Sequence, residues 1–408
     1  MNATLSHLRV LDLSRILAGP WATQILADMG AEVIKIERPD QGDDTRSWGP
    51  PYVRDQHGHE TTEAAYYLST NRGKKSIAID ITTEAGQKII YQMVRESDVV
   101  VENFKVGSMK KYGLDYETLT KINSRLIYCS ITGFGQTGPY ANRPGYDFAI
   151  QAMGGLMSIT GQRDDLPGGG PQKVGVALAD VTTGLYATIA ILGALANRSE
   201  TGEGQYIDLA LLDVQLAVLA NQSMNYLTSG IAPERLGNEH PNIVPYQSFA
   251  TADDYIILAV GNDSQFQRFC ALINESDLAD DQRFNTNKQR VHNRDELIPL
   301  IEKIMLQKNS EEWLQQLESV KIPCGPINSI DKVFENEQIK HRQMEIEMNH
   351  PKAQNLKMVA NPIKFSKTPN KYDRPPPLLA EHTNEILKDL LQMNENEIDF
   401  LKDTGVVQ

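Results

Sequence analysis

LRVLDLSRILAGPWATQILADMGAEVIKIERP, residues 8–39, sets the pattern that decides the architecture. LRVLDLS (8–14) is an apolar run of strand length, GPWATQILADMGA spaces Trp21, Ile25, Leu26 and Met29 as a helix does, and AEVIKIERP (31–39) returns to a strand period. KSIAIDI (75–81), DVVVENF (98–104) and RLIYCSITGFG (125–135) continue the series, with TEAGQKIIYQMVRES as a helix between the first two. Short strands alternating with helices form βαβ units, hence an α/β fold with a doubly wound parallel sheet. Ligands of such sheets sit at the carboxyl ends of the strands.

Helical spacing runs from about Tyr146 to Ile159, then comes a Gly/Pro-rich loop, DDLPGGGPQ (164–172), and a long apolar helix from Val174 to Ala196. GQYIDLALL (204–212) reads as a further strand. Between about 225 and 325 short strands such as DYIILAV (254–260) mix with charged amphipathic helices, the texture of a smaller α+β domain. The expected division is a large Rossmann-like domain from 1–200 and 330–408 and a small domain at 225–325, joined by linkers 201–224 and 326–329. RPPPLL (374–379) reads as an extended connection, and the tail as an amphipathic helix pair with Thr383 as N-cap.

Composition narrows the function. The 408 residues carry 40 basic and 53 acidic side chains, a net charge of −13, which disfavours nucleic-acid binding through a broad basic face. An acidic chain that binds an anion has to concentrate its lysines and arginines locally. Cys129, Cys270 and Cys324 lie far apart, in no CxxC pairing, which fits a reducing cytoplasm and no structural metal site. MNATLSHLRVLDLS reads as a first strand rather than a leader, and the run Val174–Ala196, broken by Asp180, Thr182, Thr183 and Gly184, as a buried helix rather than a membrane span.

Asp180 is the sharpest single feature, a charge in the apolar run VGVALADVTTGLYATIAILGALA. At the start of a helix it meets free backbone N–H groups and the positive end of the dipole. The plain reading is a helix cap; the chemical one is a reactive carboxylate. Gly184 and Ala187, on the same helical face, leave room for a ligand or a second backbone. Basic residues cluster around strand ends: Arg38 after VIKIE, Arg72, Lys74 and Lys75 in NRGKKS, and Lys105, Lys110 and Lys111 after VVVENF. Singly these are solvated surface charges; on one sheet edge they would bind a polyphosphate. Neither GxGxxG after the first strand nor GxxxxGK[ST] occurs, so a nicotinamide or nucleoside-triphosphate fingerprint is missing. Gly133, Gly135, Gly138 and Gly145 allow close backbone approach, or make ordinary turns.

LAGPWATQILADMGAEVIKIERPDQGDDTR (17–46), NRGKKSIAID (71–80), VVVENFKVGSMKKYGL (99–114), ITGFGQTGPYANRPGYDFAIQA (131–152) and VALADVTTGLYA (176–187) together resemble the class III CoA-transferases, and the likeness runs nearly end to end. GDDTRSWGPPYV (42–53), IVPYQSF (243–249) and RVHNRDELI (290–298) look like the members that work between succinyl-CoA and glutarate. The resemblance implies an interlocked, ring-like homodimer with no tightly bound cofactor, taking acyl-CoA and small carboxylic acids, dicarboxylates among them, as substrates. It implies Asp180 as the nucleophile, carrying acyl and then CoA through anhydride and aspartyl-CoA thioester intermediates. Leu17, Ala18, Arg38, Arg72, Gly73, Lys74, Lys75, Asn103, Phe104, Lys105, Lys111, Tyr146 and Asp147 fall where relatives contact CoA. Lys111 stands where relatives have Arg, and Pro144 where some have Lys. GNEHPNIVPYQ (237–247) is the expected lid and acceptor pocket, with His240, Tyr246 and Gln247 as donors and Arg46 pairing a distal carboxylate. Two rivals stand beside this reading: a racemase of the same fold, which needs a histidine where Tyr146 stands, and a CoA-binding protein without catalysis.

Overall fold

The computed structural model describes residues 3–408, and the chain divides into two compact units. The first comprises residues 1–156, 174–228 and 338–408, the second 157–173 and 229–337.

The first unit is built on six parallel strands: β1 (Arg9–Asp12), β2 (Glu32–Glu37), β3 (Lys74–Ala78), β4 (Val99–Glu102), β5 (Ile127–Thr132) and β6 (Tyr206–Ala210). Their spatial order is β3-β2-β1-β4-β5-β6, the doubly wound order of dinucleotide-binding folds. Val99, Val100 and Val101 are fully buried, because helices cover both faces of a parallel sheet. On one face Val10, Val33, Val101 and Ile127 meet α1 (Ala18–Asp28) and the 24-residue α4 (Leu178–Thr201). On the other, Leu11, Ile34, Ile77 and Val100 meet Ile89, Ile90 and Met93 of α2 (Glu84–Arg95) and the C-terminal residues Ile386, Leu387 and Ile398. The C-terminal segment thus closes the core that the N-terminal strands begin.

Two further helices position the site, α3 (Asp147–Met153) and α5 (Leu211–Ala217). The helix expected from Tyr146 to Ile159 is interrupted at Gly154 and Gly155, the latter with φ +86°. Residues 201–224, expected as a linker, belong to the first unit: GQYIDLALL forms the edge strand β6, as its pattern predicts, and the helix α5 follows it. Thr383 is the first residue of its short helix rather than the cap, and its buried hydroxyl has no partner.

The second unit is α+β. Its antiparallel sheet orders Cys324–Pro326, Tyr255–Ala259 and Tyr246–Ala250, so KIPCGPIN contains an edge strand as well as a connection. Phe249, Ile256, Leu258, Phe266, Phe269 and Trp313 fill its core. The Gly/Pro-rich loop 164–172 belongs to this unit, although its sequence neighbours build the first.

α4 is long and apolar enough to cross a membrane by length and composition. Here it lies against α1, with Ala187, Ile191 and Ala194 in the core. The reason for Gly184 is steric: a Cβ there would stand 2.7 Å from the Ala18 carbonyl oxygen, so glycine alone lets α1 cross this closely. The room that Gly184 leaves is taken by a second backbone, one turn beyond Asp180. Leu185, Tyr186 and Ile189 of α4 face outward, Ile189 with 65% of its surface exposed.

Candidate active site

β1 and β4 are neighbours at which the strand order reverses, and a crevice opens beyond their carboxyl ends. The cavity in it is lined by Arg15, Leu17 and Ala18 after β1, residues 103–106 after β4, Gly133 after β5, then Arg143, Tyr146 and Asp180. A second cavity shares Arg15 and Phe104 with it and adds Arg38, Ile79, Ile81 and Tyr112.

The loop after β1 is held from beneath by buried charge. Lys35 and Asp43, both buried, pair at 2.8 Å, and the Lys35 ammonium also donates to the Ser14 carbonyl at 3.0 Å. Asp43 accepts the N–H of Ile16. Ile16 has φ +72°, a left-handed backbone that a β-branched residue adopts only when its surroundings impose it. Asn103 clamps the same loop from the β4 side: its amide accepts the Arg15 N–H at 2.9 Å and donates to the Arg15 carbonyl at 2.7 Å. Gly133 and Gly145 touch backbone to backbone, where a Cβ on either would come within 2.6 Å of the other's Cα. The glycines of this stretch therefore let the chain fold back across the cavity mouth.

Asp180 stands in the first turn of α4, half-buried, at the cavity wall. Among the described residues no hydrogen bond or ion pair reaches its carboxylate. Burial, and then the charge of Asp147, push its pKa up to about 7. Asp147 itself is committed: it accepts the Ala179 N–H at 2.8 Å and the Gln151 amide at 2.6 Å. Sequence reasoning missed an aromatic pair in the same unit, Tyr66 packed edge-on against Trp48 at 5.2 Å. Burial raises the Tyr66 phenol, and the charge of Asp180 raises it further. No sequence motif marks Tyr66. The arrangement suits nucleophilic chemistry by a carboxylate poised between its two ionisation states.

The family model described as CoA-transferase family III matches residues 5–383. The chain belongs to that family. It is 52% identical over 386 residues to the succinate–glutarate CoA-transferase of Agrobacterium fabrum, covering 95% of each chain. It is 44% identical over 404 residues to the succinyl-CoA:glutarate CoA-transferase of Mus musculus, covering 99% of this chain and 90% of the relative. A CaiB/BaiF family protein from Brucella suis has the same fold, with 50% identity, a TM-score of 0.83 and coverage of 96% and 100%. The chain is a CoA-transferase enzyme.

The enzyme divides the expected CoA residues into two groups. Leu17, Ala18, Asn103, Phe104, Lys105 and Tyr146 line the Asp180 cavity, and Arg38 lines its neighbour. Lys111 is exposed beside Tyr112, its ammonium 5.4 Å from that ring. Pro144 brings no charge, but Arg143 and Arg15, neither singled out from sequence, supply cations to the wall. Arg72, Gly73, Lys74 and Lys75 are a correction. They stand at the amino end of β3, Lys74 and Lys75 as its first two residues, opposite the carboxyl ends where the crevice opens, so the basic cluster read from NRGKKS is not a phosphate site. Arg72 is buried and bidentate to Asp28, at 2.8 and 2.6 Å, and Gly73 packs on Ala27. Lys74 is fully buried and bonds Asp12 at 2.9 Å. Burial lowers the Lys74 pKa to about 8, while Asp12, which burial would raise, is brought to about 2 by Lys74 and Lys35. Lys75 pairs with Glu32 and Glu385.

Asp147 and Arg46 are corrected too. Asp147 does not line either cavity, because both its oxygens serve α4 and Gln151. Arg46 is nearly buried, bonded to both Glu37 oxygens and stacked 3.7 Å from the Tyr67 ring, so it is not free for a distal carboxylate. His240, Tyr246 and Gln247 lie in the second unit, where the His240 and Tyr246 rings stand 5.1 Å apart and His240 Nδ1 accepts the Asn242 N–H. No histidine lines the Asp180 cavity, so the racemase rival lacks its second base there.

This sorting of cations is measurable. Lys74→Met removes the ammonium that pairs with the buried Asp12 carboxylate and lowers the unfolding free energy by about 3–5 kcal/mol. Lys105→Ala changes stability by no more than about 0.5 kcal/mol and weakens CoA binding. Urea titrations and calorimetric Kd values for CoA check both; a normally stable Lys74→Met with weakened CoA binding would return Lys74 to the ligand site.

Proposed function

We propose that the enzyme moves CoA from succinyl-CoA to glutarate, with Asp180 as the covalent carrier. The observation that carries this reading is the Asp180 carboxylate, unpaired and with its pKa near 7, at the crevice between β1 and β4. The names of the two relatives quoted above support the substrate pair.

The steps balance without water or a redox partner. An Asp180 oxygen attacks the succinyl thioester carbonyl, the C–S bond breaks, and CoA thiolate leaves a mixed anhydride. The thiolate attacks the Asp180 carbonyl carbon, the C–O bond breaks, and succinate departs from an aspartyl-CoA thioester. A glutarate carboxylate then attacks that thioester and expels the thiolate. The thiolate finally attacks the glutaryl carbonyl, releasing glutaryl-CoA and restoring the carboxylate. Each intermediate keeps the energy of the thioester only while water stays out, which a half-buried nucleophile favours. In this reading Arg38, Arg15, Lys105 and Arg143 hold the phosphates along the paired cavities, and the pantetheine reaches Asp180 past Leu17 and Ala18. CoA comes and goes as substrate, and no tightly bound cofactor takes part.

We also propose that a second copy of the chain covers the outward apolar face of the first unit. Leu185, Tyr186 and Ile189 of α4, with Leu216, Met224 and Leu227, are large apolar side chains left exposed, as at a surface that meets a partner. An interlocked homodimer, as the family resemblance implies, would bury it. The three unpaired thiols are in keeping with a cytoplasmic setting.

Asp180→Ala should retain CoA binding and lose transfer; turnover near the wild-type rate by this variant sinks the mechanism. Succinyl-CoA offered a panel of dicarboxylates, with products read by mass, should give glutaryl-CoA fastest, and a stronger preference for another acid would reassign the acceptor. Light scattering should find a dimer that Ile189→Glu weakens; a monomeric wild type contradicts the second copy.

A further inference from the structure

Asp180 is in the third position of α4, where an acidic side chain ordinarily turns back to bond the first-turn N–H groups. Here another carboxylate does that work. Asp147 Oδ1 accepts the Ala179 N–H at 2.8 Å, from α3 and from 32 residues earlier in the chain. Its Oδ2 accepts the Gln151 amide at 2.6 Å, one turn along α3. Gln151 is fully buried; its Oε1 accepts the Val174 N–H at 3.0 Å, and its Nε2 also reaches the Val176 carbonyl at 3.3 Å. One turn of α3 therefore grips the strand of chain entering α4 at Val174, Val176 and Ala179. Asp180 is the next residue.

We infer that Asp147, working with Gln151, is a positioning residue for the nucleophile: it caps α4 in place of Asp180, so that the Asp180 carboxylate is left free for substrate. The inference rests on the reading of Asp180 as nucleophile. Its chemistry is the substitution of one anion for another at a helix start. The dipole and the Ala179 N–H are satisfied by Asp147, so Asp180 gains less from them. At the same time the charge of Asp147 opposes ionisation of Asp180, in the same direction as burial. The cavity wall that holds Asp180 also carries Tyr146, Arg15, Lys105 and Arg143, and Tyr66 of the short helix Ala65–Leu68 feels the Asp180 charge. None of these cations forms an ion pair with Asp180 among the described residues. Asp147 is thus the charge that acts on the nucleophile, and its geometry makes it a device for keeping that nucleophile unpaired.

A carboxylate nucleophile works ionised, so transfer by the wild type should fall as pH drops through about 7. Asp147→Asn keeps an acceptor for the Ala179 N–H and removes the charge. The acid limb of its kcat profile should move about one unit toward lower pH, with KM for succinyl-CoA changed less than about twofold. Asp147→Ala removes the cap as well, and should lower kcat about a hundredfold with KM again little changed. Asp147→Ser, which can still accept the Ala179 N–H, provides the limb measurement should the asparagine variant fold poorly. An unmoved limb in whichever neutral variant folds, or a rise in KM with kcat unchanged, overturns the inference and makes Asp147 a structural or CoA-contacting group. Asp180→Ala assayed in parallel separates the two readings: if it turns over, the nucleophile reading fails first; if it is dead while the limb does not move, the positioning role alone fails.

Discussion

A carboxylate buried without a cation or a hydrogen-bond donor is expensive, and a protein keeps one only where the surrounding chain leaves it no other arrangement. Asp180 is such a group. Its position depends on α4 starting at the crevice, on Asp147 occupying the first turn, and on Gly184 letting α1 cross one turn further on. Each of these contacts spans a long stretch of sequence, which is why the fold has to be complete before the site exists. Half-burial is what raises Asp180 toward neutrality.

The second dependence is on charge hidden beneath the sheet edge. Lys35, Asp43, Lys74 and Asp12 are all buried, and they neutralise one another rather than a ligand. Their role is to hold the backbone between β1 and α1, including the left-handed Ile16, against the strain that its shape implies. Asn103 completes the clamp from β4. Cations that meet solvent and cavity, such as Arg38, Lys105 and Arg143, are a separate population. An acidic protein can in this way bind a polyanion with a few exposed basic groups while using others as internal braces.

How far all this could be read from sequence depended on how local the signal was. The strands were legible because parallel strands are apolar along their whole length, as VVVE is, and the helices because α2 keeps its apolar residues on one face. Strand order was not, since nothing in the run of a strand states its neighbour. Asp180 stood out because charge in an apolar helix is rare. NRGKKS misled because a lysine looks alike at either end of a strand: Lys74 enters β3 and meets Asp12 from 62 residues away, whereas Lys105 leaves β4 toward the cavity. Asp147 sits in a recognisable motif, but its partner, Ala179, lies 32 residues further along the chain. Tyr66 carried no pattern at all. Residues 157–173 are continuous in sequence with the first unit, and packing alone places them in the second.

The central claim is that Asp180 itself forms the covalent bond to the transferred group. The enzyme incubated with succinyl-CoA and hydroxylamine, without an acceptor acid, and then digested for peptide mass spectrometry tests it. The expected product is a hydroxamate on the side chain of Asp180, formed only when acyl-CoA is present. A catalytically competent enzyme that yields no adduct at Asp180, or yields one at another carboxylate, would contradict it.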